Sequence, residues 1–191
     1  MSGRTAKICY HESMKWLFFS YSLPTEPSKA RVYVWRQLKK LGAVNVQSIW
    51  VLPHSTERIT EVKKLIETIE AYKGSGLLIS GNVLLEDQED LISKAVIESR
   101  NEEYREFIAK CEAFFREIES EIGKENFIFA EVEENEEELA KLKQWLKKIE
   151  KRDVVKPPLR KEAIAKLKMS ERLFDDFARR VYDRQQVKTK K

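Results

Sequence analysis

The first half of the chain alternates short apolar runs with segments whose apolar residues recur at helical spacing. The aromatic run WLFFSYS at 16–22, which Leu23 and Pro24 follow, is typical of a buried strand. The runs at 44–47 and 49–52 predict either one kinked strand or a tight pair of strands. The whole pattern predicts the order strand, helix, strand, strand, helix, strand, over 16–22, 29–41, 44–47, 49–52, 56–72 and 77–84.

The helix predicted over 29–41 has apolar residues at three-residue steps, and we expect these to form one buried face: Val32, Trp35, Leu38 and Leu41. Ser28 is a suitable N-cap, and Gly42 follows the last apolar residue, where helices commonly end in the left-handed conformation. Each tryptophan falls within an apolar periodic pattern, so we expect all four in the core rather than stacked on bases: Trp16, Trp35, Trp50 and Trp145.

This order of elements predicts an α+β fold with a ferredoxin-like βαββαβ domain over 15–84. Its sheet would be antiparallel, with both helices on one face. Aromatic and branched residues are not usually left in water over a whole sheet face, so the second face needs a cover. Either the remaining helices or a second copy of the chain could provide it.

The second half has a helical period with one interruption. We expect a helical extension over 85–184 with one short extra strand, and a disordered basic tail over 185–191. The elements predicted here are a helix at 86–122 with a possible break at 99–101, a strand at 127–132, and helices at 135–151 and 161–184. Thr56 and Asn135 are the predicted N-caps of the second and fourth helices.

Composition removes several classes of protein. No apolar stretch approaches the roughly 20 residues that a membrane span needs, and the N-terminus does not resemble a signal peptide, so we expect a cytoplasmic protein. The chain has 2 cysteines and 2 histidines, without zinc-site spacing, and we predict no metal and no cofactor. Cys9, His11 and Glu12 could form only a weak site, and a flexible N-terminal arm is the simpler interpretation.

The net charge of +4 conceals a basic, acidic, basic order. Residues 1–84 carry 12 Lys and Arg against 6 Asp and Glu, 85–150 carry 10 against 20, and 151–191 carry 14 against 6. One interpretation is that the basic parts face nucleic acid and that the acidic part is solvated. The other is that oppositely charged segments pair with each other or with a second copy.

Two groups of basic residues are candidate contacts for DNA phosphates or a tetrahedral oxyanion: Arg31, Arg36, Lys39 and Lys40 beside Tyr33, and Arg179 and Arg180 on the last helix. The guanidinium fork suits such anions. The alternative for the first group is a solvated helix face or a dimer salt-bridge surface. The alternative for the second is pairing with the acidic residues of 131–138, which we expect to be solvated.

Two blocks of sequence resemble the N-terminal domain of the ChrB chromate resistance proteins. The first is WLFFSYSLPTEPSKARVYVWRQLKKLGAV from Trp16, followed by VQSIWVLP from Val46. The second comprises EAFF from Glu112, FIFAEVEENEEEL from Phe127 and KLKQW from Lys141. The resemblance covers about 15–153. It implies a non-enzymatic, chromate-responsive DNA-binding regulator of a resistance operon.

Two departures limit what this resemblance implies. Full-length members carry a further C-terminal domain that these 191 residues do not include, so its oxyanion sensing is not assumed. The helices also lack the short turn of a helix-turn-helix, so DNA would bind through a less common surface. A homodimeric interaction module without nucleic acid is therefore the second hypothesis.

The first domain is also distantly similar to the phenylacetate-pathway repressors and to the CRISPR spacer-acquisition endonuclease subunit. Such nucleases place an Asp at the end of the first strand to hold a metal ion. Ser22 occupies that position here, and a serine hydroxyl is a poor ligand for a hard divalent cation beside a carboxylate. Glu26 could substitute, but it is more typical of solvated surface. A metal-dependent nuclease is therefore the third and least favoured hypothesis.

Overall fold

The structure is a computed structural model that describes residues 14–26 and 28–189. The chain divides into two compact units, Met1–Val96 and Ile97–Lys191. The described residues form five helices and one four-stranded antiparallel sheet, and most of them are helical. The α+β class is therefore confirmed. The predicted limits of independent domains, at 84 and 184, stay a prediction.

The first unit contains the sheet, with strands β1 (Trp16–Ser22), β2 (Val44–Val46), β3 (Ile49–Pro53) and β4 (Ser75–Gly81), and helices α1 (Ser28–Lys40) and α2 (Thr56–Ala71). The strands lie in the order β2-β3-β1-β4, and every neighbouring pair is antiparallel. β2 and β3 form a tight pair in which Val46 lies opposite Ile49. Gln47 in the turn has a left-handed φ of 56°, so of the two predicted alternatives the paired strands are observed.

One face of the sheet forms the core of the first unit. Leu17 and Phe19 of β1 lie opposite Leu52 and Trp50 of β3, so these four side chains project from the same face. They join one buried cluster with residues of both helices: Val34 and Leu38 of α1, and Val62, Leu65 and Ile69 of α2. Both helices therefore cover the same face, because every second residue of β1 points towards them.

Helix α1 buries a different stripe from the one predicted. Its buried residues are Ala30, Val34 and Leu38, whereas Trp35 is 49% exposed. A three-residue step turns about 60° short of a full turn, so positions at such steps drift around the helix, and four-residue steps drift less. The prediction that all four tryptophans lie in the core is wrong for Trp35.

The end of α1 follows the predicted glycine stop. Gly42 has a φ of 81°, in the left-handed region. Its N–H donates to the carbonyl of Lys39 at 3.0 Å, and the N–H of Ala43 donates to that of Leu38 at 2.9 Å. This pair of bonds is the Schellman arrangement, which satisfies two carbonyls that the helix itself leaves without donors. It sets the direction in which the chain leaves α1 for β2.

We expect Gly42→Ala to lower the free energy of unfolding by about 1–2 kcal/mol, because a Cβ in the left-handed region meets the following carbonyl oxygen. Urea denaturation monitored by circular dichroism would measure the change. Gly81→Ala is the matched control, since an added Cβ there would meet no heavy atom within 4 Å and φ is not positive. Equal losses in the two variants would contradict the role of Gly42.

The described part of the second unit is helical. It contains the later part of α3 (Glu86–Gly123), all of α4 (Phe129–Arg152) and the described part of α5 (Leu159–Thr189). Helix α3 is continuous through 99–101, where a break was possible. Its stripe packs with the other two helices in a single buried cluster that includes Phe107, Ile118, Leu142 and Phe177. Trp145 is partly buried against this cluster.

The predicted strand at 127–132 is wrong, because α4 begins at Phe129. A lone strand leaves its backbone groups without partners, and the sheet of the first unit contains no strand from this segment. A helix satisfies those groups internally, and Glu131 in its first turn favours the helix dipole. Asn135 is consequently not an N-cap. It is buried within α4 and donates its Nδ2 to the carbonyl of Glu131 at 2.8 Å.

The predicted tail is partly helical, since α5 extends to Thr189. Gln185 donates its Nε2 to the carbonyl of Phe127 at 3.1 Å, and the guanidinium of Arg184 lies 4.1 Å from the centre of the Phe127 ring. These contacts bind the last turns of α5 to the start of α4. Lys190 and Lys191 lie outside the described residues. The N-cap of α2 is Ser55, one residue before the predicted Thr56.

Candidate functional site

Helix α1 presents the most one-sided charge of the helices in the first unit. Its 13 residues include no acid and five basic residues, all exposed: Lys29, Arg31, Arg36, Lys39 and Lys40. Helix α2, by contrast, carries Glu61, Glu67 and Glu70 among its lysines. Lys39 and Lys40 lie in the last turn of α1, where cations interact favourably with the helix dipole.

The basic residues of α1 are not neutralised locally. None of the five forms an ion pair with another residue that the structure describes. Arg31 is engaged differently, because its Nη2 donates to the carbonyl of Thr25 at 2.9 Å and so holds the loop after β1. Burial raises the pKa of the neighbouring Tyr21, and the charge of Arg31 opposes that rise. Lys29, Arg36, Lys39 and Lys40 are the side chains that remain available for an anion.

Apolar and aromatic side chains lie among these charges. Val32, Tyr33 and Trp35 are each between 45% and 49% exposed. At about 100° per residue, Arg36 falls between Val32 and Tyr33 on the helix circumference, and Lys39 falls between Trp35 and Val32. We call this exposed side of the helix the α1 surface; it consists of Lys29, Val32, Tyr33, Trp35, Arg36, Lys39 and Lys40. Sequence analysis places Tyr33 beside these basic residues but misses Trp35, which it predicts in the core.

The other predicted contacts, Arg179 and Arg180, are exposed on α5 in the second unit. Arg180 pairs with Asp176 at 2.7 Å, one helical turn earlier. Other basic residues on α5 also pair with acids: Arg160 with Glu150 at 2.6 Å, Lys166 with Glu112 at 2.8 Å and Arg184 with Glu125 at 3.4 Å. Basic residues of α5 therefore form ion pairs, as one alternative predicts, but with acids that lie outside the predicted stretch 131–138. The basic charge of α5 is partly compensated within its own unit.

The acidic stretch 131–138 is mostly exposed on α4, as expected. It borders an open groove of about 640 Å³ between α3 and α4, which Lys110 and Lys141 also line. Within 14–26 and 28–189, no group of three or more His, Cys, Asp or Glu residues could hold a metal ion. Cys9, His11 and Glu12 lie outside the described residues. Ser22 and Glu26 are both exposed near the end of β1.

A buried polar cluster in the second unit was not predicted. Asp153 follows α4, and its side chain is fully buried. It accepts a hydrogen bond from the Tyr104 hydroxyl at 2.8 Å and from the backbone N–H groups of Val155 and Lys156 at 3.0 and 2.8 Å. The Nε of Arg160 lies 4.0 Å away. One carboxylate thus connects α3, the end of α4 and α5.

The electrostatics of this cluster follow from its burial. Burial raises the pKa of the Tyr104 phenol, and the hydrogen bond to Asp153 raises it further. Arg100 is only 2% exposed, and burial lowers its pKa while Glu103, at 2.8 Å, opposes that effect. Glu103 also binds Arg152. Its only signal in the sequence is the polar run at 99–101, which interrupts the apolar stripe of α3.

The geometry defines an α+β protein with a basic and aromatic helix surface on one unit and a helical second unit. The family model described as "Protein ChrB, N-terminal" matches residues 31–188, and the chain belongs to that family. It is therefore a chromate-resistance-associated protein. The match begins in α1 and includes α5, beyond the blocks that carried the resemblance.

Comparisons with curated proteins and with solved structures give no match. No helix among the described residues is both long enough and apolar enough to cross a membrane.

We expect Asp153→Ala to lower the free energy of unfolding by about 3 kcal/mol or more, because it leaves three donors without their charged acceptor. Tyr104→Phe should cost about 1–2 kcal/mol, since the backbone donors keep their bonds to Asp153. Denaturant unfolding would measure both variants. Tyr182→Phe is the control: its hydroxyl accepts only an exposed bond from Gln186, and the change should stay within about 0.5 kcal/mol. A Tyr104→Phe variant as stable as this control would contradict the cluster's role.

Proposed function

We propose that the chain is a non-enzymatic regulatory protein that binds DNA near a chromate resistance operon and responds to chromate or a similar oxyanion. Membership of the ChrB family supports the link to chromate resistance. The observation that carries the binding proposal is the α1 surface, where the basic residues have no acidic neighbour on the helix and no ion pair with a described residue. Arg31, Arg36, Lys39 and Lys40 are the proposed contacts.

The charge and shape of α1 suit the DNA backbone. Thirteen residues at 1.5 Å each make a helix of about 20 Å, comparable with several successive phosphates. Arg36 and Lys40 are one helical turn apart, so their side chains leave the same side of α1. Both are exposed, and a phosphate can reach them without displacing a protein carboxylate. Contacts of this kind supply affinity without sequence preference, so specificity must come from other parts of the complex.

Chromate would bind the same basic side chains as the DNA phosphates. It is a tetrahedral dianion, and a guanidinium fork binds such an oxyanion through the donors that otherwise bind a phosphate. Competition at Arg36 and its lysine neighbours would then release the DNA. Arg31 would contribute less than the others, because its Nη2 already donates to Thr25. Arg179 and Arg180 remain predicted contacts, and Arg180 would have to exchange Asp176 for a phosphate.

We also propose that the sheet and two helices of the first unit constitute a ferredoxin-like domain. The order of elements along the chain and the antiparallel order β2-β3-β1-β4 support this assignment. In such a domain both helices cover one sheet face, and the outer side of the first helix is free for a ligand.

The double variant Arg36→Gln and Lys40→Gln should weaken binding to a duplex from upstream of the gene and reduce the salt slope of log Kd by about two, one unit for each lost phosphate contact. Fluorescence anisotropy at several salt concentrations would measure the slope. Chromate should release the wild-type complex, whereas sodium chloride at the same ionic strength, which provides no tetrahedral dianion, should release much less of it.

Lys63→Gln with Lys64→Gln is the matched control, because it removes the same charge from exposed positions on α2, where glutamates surround the lysines. This control should keep the wild-type slope. Equal, weak binding to the upstream and scrambled duplexes, unmoved by chromate, would contradict the regulatory proposal. Equal slopes in the two double variants would contradict the assignment to α1.

A second candidate function is a homodimeric interaction module, which the outer face of the sheet favours. The four strands contain no charged residue. Leu77 and Ile79 of the edge strand β4 point away from the helices, since they pair with Ser20 and Phe18, and they are 60% and 51% exposed. An uncharged, apolar edge is normally covered by pairing or packing. A second copy could approach it without repulsion between like charges.

If this face joins two copies, Leu77→Glu with Ile79→Glu should convert the dimer into a monomer, because carboxylates would have to be buried at the contact. Sedimentation velocity over a range of protein concentrations would measure the change. Leu84→Glu is the control, since Leu84 is exposed and lies outside the sheet. A wild-type chain that stays monomeric at every concentration would contradict the module.

A further inference from the structure

Trp35 differs from the other tryptophans of the chain. Trp16 and Trp50 are buried in the first unit, and Trp145 packs edge-on against Phe107 with ring centres 5.6 Å apart. Trp35 is half exposed and contacts no other ring within the part of the chain that the structure describes. The core of the first unit does not need it, because α1 already packs through Ala30, Val34 and Leu38. Its indole is therefore free to bind a ligand.

The neighbours of Trp35 limit the chemistry of that ligand. Lys39 lies one turn after Trp35, Arg36 is the next residue, and the whole helix lacks an acid. A ligand that covers the indole therefore meets positive charge beside the ring. It needs a flat apolar face together with flanking negative charges, and a nucleotide in a strand has both features.

Two other occupants fit this surface less well. A helix that lies in a membrane interface separates an apolar side from a charged side. On α1, Arg36 falls between Val32 and Tyr33 around the helix, so its apolar residues do not form a continuous side. A protein partner with an apolar face would leave Arg36 and Lys39 without counterions, which is costly in a buried contact.

We infer that the α1 surface binds unpaired nucleotides, with Trp35 as the platform on which a base stacks and with Arg36 and Lys39 on the adjoining phosphates. This inference rests on the proposed nucleic-acid function and specifies its ligand. A base inside a duplex has both faces covered by its neighbours, so only a single strand or a locally opened duplex offers a face to the indole. Stacking on Trp35 therefore predicts that the chain binds a single strand more tightly than a duplex, and that this preference requires the ring of Trp35.

The test compares an oligonucleotide as a single strand and as a duplex of the same sequence, using the full chain. Trp35→Ala should weaken single-strand binding by about 5- to 150-fold, the usual range for one stacked base, and should change duplex binding by less than about 3-fold. Trp35→Phe should retain part of the affinity, because a smaller ring still stacks. Single strands should also quench the tryptophan fluorescence of the wild type, and Trp35→Phe should lose that quenching.

Leu91→Ala is the control, since Leu91 is a helical residue of similar exposure that has no ring and lies on α3, outside the α1 surface. It should bind single strands as the wild type does. Unfolding curves would verify that all the variants remain folded, which the exposure of both side chains favours. Equal losses in Trp35→Ala and Leu91→Ala, or no loss in either, would overturn the stacking role. Quenching by anionic phospholipid vesicles but not by single strands would also overturn it.

The outcome is separable from that of the proposed function. If Arg36→Gln with Lys40→Gln loses affinity for the upstream duplex while Trp35→Ala keeps its affinity for single strands, the stacking role fails and the regulatory proposal stands. If that double variant binds every nucleic acid as the wild type does while Trp35→Ala loses single strands, the stacking role stands and the assignment of duplex DNA to α1 fails.

Discussion

The helical arrangement of the second unit depends on the buried carboxylate of Asp153. Apolar packing holds three helices together, but it does not specify where one ends and the next begins, because a stripe of similar side chains tolerates small shifts. Asp153 adds that specification, since it binds Tyr104 of α3 and the backbone of the loop after α4 at the same time. A buried charge without such partners would be strongly destabilising. Shifted helix arrangements that separate Asp153 from these donors are therefore disfavoured.

The first unit is organised by a sheet that packs one face against both α1 and α2. Helix α1 meets this face through a narrow stripe of Ala30, Val34 and Leu38, so most of its circumference stays outside the core. This geometry permits a helix of high charge and high aromatic content to be stable without ion pairs. The same arrangement leaves Leu77 and Ile79 exposed on the opposite face of the sheet. Both candidate binding surfaces, the α1 surface and the exposed residues of β4, are therefore parts of the first unit that the packing of α1 and α2 leaves uncovered.

Periodicity predicted the elements of the first unit and most of the helices of the second, because those signals are local. It failed where the outcome depended on partners distant in the sequence. The alternation at 127–132 resembles a strand, but a strand needs a neighbour, and the segment forms a helix instead. Three-residue spacing predicts that Trp35 lies on the buried face of α1, whereas the buried residues follow four-residue spacing. Asp153 and Tyr104 are 49 residues apart, and no local pattern indicates that they meet.

The charge pattern along the sequence also does not show which basic residues are paired, because several of their acidic partners are distant in the sequence. Both basic segments looked alike in the sequence, yet on α5 several cations pair with acids of their own unit, at Glu112, Glu125 and Glu150. Those pairs are partly exposed and contribute little to stability, but they remove much of the field that an anion would feel. Helix α1 keeps its field because its 13 residues include no acid and its basic residues form no ion pair with a described residue. The uncompensated helix, rather than the more basic segment, is therefore the better candidate for an anionic ligand.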